Sequence, residues 1–188
     1  MKTIWIILIL LSACARPAET GVSNETTATE AISKPEIAHL DGHENFPDFV
    51  KHSDLPDSVL IDVDKVVYGD FNADGKDDFA SVVTNAVNGF QGVLIIHNND
   101  QQEYFLFGAG QEVNGMRNLD WIETFAIIPK GEVIAPTLVD RETGDIIGAD
   151  ETKQFRLLGD GIQMGVEEAG GGGILFWKGA KYDWYHVE

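Results

Sequence analysis

From Val59 to the end of the chain, short runs of β-branched and aromatic residues recur between clusters of Gly, Asn and Asp, and this rhythm constrains the fold more than any other feature. The runs at residues 66–69, 79–84, 92–97, 103–107, 123–128, 152–158, 161–166, 174–177 and 182–187 qualify as strands. Three of the joins, "HNNDQQ" after Ile96, "LGDGI" at 158–162 and "WKGAKY" at 177–182, carry the residues of hairpin turns. Short, regularly spaced strands with such turns predict a compact, mainly β (α+β) domain with antiparallel pairing. Upstream, "NFPDFVKHSDL" at 45–55 changes period: Phe46, Phe49 and Val50 recur at helical spacing with Leu55 a further turn away, which predicts one short amphipathic helix. The glycine run 170–173 precedes neither a Lys-Ser/Thr pair nor a helical pattern, so it reads as a flexible loop and not a phosphate cradle.

Between the first two strands lies "GDFNADGKDDF", residues 69–79. Aligned on Asp70, the stretch places Asp70, Asn72 and Asp74 at alternate positions, then Gly75, the carbonyl of Lys76 and the carboxylate of Asp78. A hard, oxygen-seeking cation asks this of a tight loop: alternate side chains converge, glycine permits the sharp turn, and a main-chain oxygen fills the next vertex. Carboxylates so close together repel one another unless a cation sits between them. An all-oxygen cage of protein groups suits Ca2+ better than the smaller, more demanding Mg2+. An EF-hand would need an acidic residue at loop position twelve, which is Ser81, and flanking helices. The flanks "KVVY" and "FASVVT" instead predict that the ion clips a turn between two strands.

Over "VVYGDFNADGKDDFASVV", residues 66–83, the chain resembles the FG-GAP or VCBS-type repeat, a strand-loop-strand calcium motif of integrin-like propellers and of many bacterial surface proteins. The motif occurs once. A propeller needs at least four blades, so roughly 145 folded residues do not hold a complete one. With "FVKHSDLPDS" upstream and "ILFWKGAKYDWYHVE" downstream, the chain looks like small bacterial lipoproteins that carry one such motif in a compact α+β domain. That resemblance implies a calcium loop at 70–78 and no particular activity.

The N-terminus fits that family. Met1 and Lys2 precede the eight-residue apolar run 4–11, then small residues and Cys14, the pattern of a secretory signal. The run is too short for a bilayer core, which takes about 20 residues. Cys14 is the one cysteine, so no internal disulfide can form and an exported thiol needs another use. "LSAC" at 11–14 resembles the lipobox of bacterial lipoproteins, which implies cleavage after residue 13 and a triacylated Cys14 as membrane anchor. More than one acyl chain is needed for firm anchoring, since each buried CH₂ contributes only about 0.8 kcal/mol. Ala15 follows the cysteine where an aspartate would favour retention at the inner membrane, so the resemblance favours the outer membrane of a cell envelope. Residues 14–36, rich in Thr, Glu, Ala and Ser, lack the apolar surface to fold and read as a flexible tether, leaving 37–188 as a single domain.

The formal net charge of −18 falls by one more when Lys2 leaves with the leader. This balance argues against nucleic acid as a partner and suits attraction of cations. His39 and His43 in "HLDGH" have the spacing of a zinc helix, but Gly42 lies between them and the glutamate base is missing, which favours a surface turn. No G-x-S-x-G elbow supplies a nucleophile. Acidic pairs such as Glu167 with Glu168 or Asp140 with Asp145 arise by chance among 31 acidic residues. In the last strand, alternation puts Tyr182 and Trp184 on one face and Asp183 and Tyr185 on the other, so one face suits the core and the other could offer Tyr185 to a sugar or peptide. The expectation is a lipid-anchored envelope protein that binds a protein or glycan partner without catalysis, with a hydrolase ordered by calcium as the alternative.

Overall fold

The computed structural model describes residues 45–167 and 172–187, all within the unit His39–Glu188. The leader, Cys14, the tether, His39, His43 and Glu168 lie outside the described residues. Those described are mainly β, with antiparallel sheets, one short helix and no closed barrel or propeller.

Two four-stranded antiparallel meanders form the body. The first runs β1 (Val59–Gly69), β2 (Asp78–Asn85), β3 (Gln91–Ile96) and β4 (Tyr104–Gly108) in sequence order. The second has the order β12-β11-β10-β5, built from β5 (Thr124–Ile128), β10 (Gly161–Gly165), β11 (Gly172–Trp177) and β12 (Tyr182–Val187). The chain between β5 and β10 forms two ribbons: β6 (Val133–Ile134) with β9 (Phe155–Arg156), and β7 (Thr137–Val139) with β8 (Ile146–Ala149).

The apolar residues decide the layering. Ala80, Val82, Val93 and Ile95 on one face of the first sheet share a core with Ile162, Met164, Leu175 and Tyr182 of the second, sealed by Phe71. The alternate residues Phe79, Val83, Leu94 and Ile96 pack on the opposite face against Phe46, Val50 and Ile61. Both faces of β2 and β3 are therefore covered, which is why these strands read as nearly unbroken apolar runs and not as clean alternation. On the outer face of the second sheet, Ile174 and Phe176 meet Ile134 and Leu157 from the ribbon.

Several boundaries differ from expectation. The helix α1 is only Asp48–Lys51; it buries Val50, and Phe46 stands just outside it, edge-on to Phe79 at 5.3 Å. Strand β1 begins at Val59, and its pairing slips between Ile61 and Val66, where "DVDK" bulges away from β2. The run 152–158 is a 3-10 turn at Glu151–Lys153 followed by the two residues of β9, because Asp150 caps the turn by accepting from Thr152 N–H. "LGDGI" joins β9 to β10 without making a hairpin, since β9 pairs with β6 and β10 with β5 and β11. Gly172 and Gly173, expected in a loop, belong to β11. Strand Gly173 has no room for a side chain: a Cβ there would stand 1.9 Å from the Trp184 indole.

Candidate metal centre and its surroundings

The loop at 70–78 leaves β1 and returns as β2, so it joins two strands that pair with each other. Its turn is set by Ala73 and Gly75 at φ of 64° and 88°, the left-handed region that glycine enters freely. Side-chain oxygens then organise the backbone step by step. Asp70 Oδ1 accepts from Gly75 N–H at 3.1 Å, Asn72 Oδ1 from Asp74 N–H at 2.9 Å, and Asp74 Oδ1 from Lys76 N–H at 2.9 Å. The remaining Asp70 oxygen accepts from the Lys130 ammonium at 3.0 Å.

Asp78 is fully buried and faces into the protein. Its Oδ2 accepts from Phe71 and Asn72 N–H at 3.1 and 3.2 Å, and its Oδ1 from Asn98 N–H at 2.8 Å, so one carboxylate ties the loop to the hairpin between β3 and β4. Burial pushes this carboxyl up to about 6, against the pull of those three donors and with help from the charge of Asp74. Asp70 shows the opposite balance. Burial works to raise it, but Lys130 and the Gly75 N–H outweigh burial and hold it below the usual carboxylate range.

Asp160 completes the cluster, and nothing in its local sequence marks it. Its carboxylate accepts from Asp70 N–H at 2.9 Å and Lys130 N–H at 2.8 Å, while its own N–H donates to the Asp70 carbonyl at 2.8 Å. Neighbouring Gly159 lies so close to the loop that a Cβ would stand 2.4 Å from the Asp70 carbonyl oxygen. "LGDGI" is therefore a clasp on the acidic loop, joined across 90 residues of chain.

The donors present are the hard oxygens calcium takes. Asp70, Asn72, Asp74 and the Lys76 carbonyl lie on the turn itself, and the Lys130 ammonium stands 3.0 Å from Asp70. Asp78 has given one lone pair of Oδ1 to Asn98 and retains another. Among the described residues no group of three or more His, Cys, Asp or Glu side chains is arranged to hold a metal, so the loop as folded is organised by its own hydrogen bonds.

The other sequence candidates separate in space. Tyr182 and Trp184 pack into the core between the sheets, and Tyr185 lies on the outer face with Phe155 and Phe176. His97, given no role by its sequence neighbours, is buried with Nε2 2.8 Å from the Tyr182 hydroxyl and its ring 4.8 Å from that of Phe105. Burial lowers its imidazole, while Glu103 and Asp74 pull the other way. Half-buried Asp140 caps a turn by accepting from Glu142 and Thr143 N–H, and its own N–H donates to the Asp145 carbonyl, so the two organise the loop between β7 and β8.

No family model matches the chain, and no solved structure matches it. Among curated proteins, an indole-3-glycerol phosphate synthase from Haloarcula marismortui is 29% identical over 163 residues, covering 82% of this chain and 57% of that protein. The chain thus spans little more than half the length of that relative, and likeness at this level carries no activity to it.

Proposed function

We propose that the protein is a non-catalytic binding or structural module of a bacterial envelope, anchored through a lipidated Cys14, with one structural Ca2+ at the turn between β1 and β2. The observation that carries the metal reading is the Lys130 ammonium 3.0 Å from Asp70, on a turn that also bears Asn72 and Asp74. A loop that recruits an exposed lysine to its first carboxylate is short of positive charge. Asp70, Asn72, Asp74, the Lys76 carbonyl and the free lone pair of Asp78 would hold the ion. The cation would neutralise the carboxylates and stiffen a turn that already fastens two strands and a hairpin. An affinity of about 10⁻⁴ to 10⁻³ M, typical of extracellular modules, is sufficient outside the cytoplasm. The lipid anchor, the outer-membrane location and a protein or glycan partner rest on the resemblance of "LSAC" and of the whole chain to bacterial lipoproteins.

Thermal melting of the chelator-stripped full chain tests the metal reading. Calcium at about 100 times its Kd adds about 2.7 kcal/mol, a rise in Tm of about 5 to 10 °C. Asp74→Ala, at an exposed position, removes the rise. Identical melting of the native protein with and without calcium sinks the reading.

A further inference from the structure

On the outer face of the second sheet, Phe155 stacks on Phe176 with ring centroids 4.5 Å apart, and Tyr185 stands 5.4 Å from both. These rings floor an open cavity of about 270 Å³ whose rim carries Lys153, Arg156 and Lys178. In a chain with 31 acidic and 13 basic residues, a cavity lined by three basic side chains and no acidic one is a reversal of local charge. Two of the cations are matched nearby: Lys153 pairs with Asp150 at 2.8 Å and Lys178 with Asp183 at 3.0 Å. Arg156 donates to the neutral carbonyl of Gly131 and forms no ion pair with any described residue. One positive charge at the rim is therefore uncompensated, and it belongs to the side chain whose planar fork fits a carboxylate in two-point contact.

We propose that this cavity binds a single-ring aromatic carboxylate, with the ring on the floor of Phe155, Phe176 and Tyr185 and the carboxylate on the Arg156 guanidinium. Size supports one ring and not an extended chain, since the volume lies just below the usual ligand range of about 300–1,000 Å³. The aromatic floor selects a planar ring through offset or edge contacts. Distant carboxylates of this acidic protein do not cancel the attraction, because charges beyond about 8–10 Å are screened at physiological salt. The proposal rests on the reading of the protein as a binding module and is independent of the metal loop.

Phenylacetate titrated into the ¹⁵N-labelled full chain, followed at the Arg156 Nε–H and the Tyr185 amide, is the test. Phenylacetamide serves as the neutral twin and acetate as the ringless one. The expected result is saturable binding at a roughly millimolar Kd, with both twins at least about tenfold weaker. Arg156→Gln, at an exposed site, should weaken phenylacetate about tenfold and leave phenylacetamide unchanged. Equal binding of acid and amide, shifts that bypass Arg156 and Tyr185, or no saturation up to about 50 mM overturns the proposal. A calcium-dependent Tm without phenylacetate binding would remove this site alone, and phenylacetate binding without a calcium response would remove the metal loop alone.

Discussion

The two sheets have the same strand count and the same meander order, yet their outer faces serve different ends. The first is covered by Phe46 and Val50 from the segment around α1, and its inner strands are buried on both sides. Among the described residues the second is covered by Ile134 and Leu157 beside the short pair of β6 and β9, with half-buried Phe155 and Tyr185 and a cationic rim next to them. A pair of large apolar side chains from a helical segment closes a sheet face into core, whereas a short ribbon leaves a concave edge. The acidic loop is divided as well: buried Phe71 seals the core between the sheets and buried Asp78 holds the loop from inside, while Asp74 and Asp77 face solvent.

The sharpest way to break this comparison is a pair of truncations. Phe79→Ala removes a fully buried ring that touches Phe46 and Tyr68, and should cost about 3 to 5 kcal/mol in urea unfolding. Phe155→Ala, at the half-buried cavity floor, should cost only about 1 to 2 kcal/mol. Equal losses would mean that the outer faces are equally core-like. Next in size, Asp78→Ala leaves three backbone N–H groups without their acceptor and should lose about 3 kcal/mol in calcium-free buffer. Faster hydrogen exchange at Phe71, Asn72 and Asn98 would accompany that loss; unchanged exchange there would show that the loop is not held by this carboxylate.

The smallest effect is one of slope. His97 sits where the sheets meet, against Phe105 from the first and Trp177 and Tyr182 from the second. Burial lowers its folded-state pKa, so the unfolded chain takes up the proton first, and stability should fall as pH drops below about 6.5. Asp78 acts in the opposite sense: with its carboxyl raised to about 6, the folded form takes up the proton first, and its contribution grows as pH falls from about 6 toward 3.8. His97→Phe should therefore flatten the acid-side loss of stability. A pH profile of unfolding unchanged by the substitution would place the titrating group elsewhere.

Much of the body was legible because strand signals are local. The cores of β2, β3, β4, β5, β10 and β12 lie where β-branched and aromatic runs stand between turn residues, and two of the three expected hairpin turns join neighbouring strands. The ribbon strands β6, β7 and β8 were missed because two to four residues carry no period. Gly172 and Gly173 misled because their composition says loop, while the close approach of Trp184 needs a residue without a Cβ. At the loop, spacing alone located the turn and its carboxylates, but not the three backbone N–H groups that Asp78 accepts from, one of them 20 residues away.

By itself the sequence determined the local features: an antiparallel, mainly β domain, the tight acidic turn between two strands, and the alternation that sends Tyr182 inward and Tyr185 outward. These depend on residues a few positions apart, where backbone sterics and period are decisive. Only the tertiary structure decided that Lys130 and Asp160 close the loop, that His97 meets Tyr182, and that Arg156 joins the rings of Phe176 and Tyr185 at one cavity. Those partners lie tens of residues apart in the chain, and their meeting follows from how two sheets and a ribbon bury their apolar faces, which no short stretch of sequence encodes.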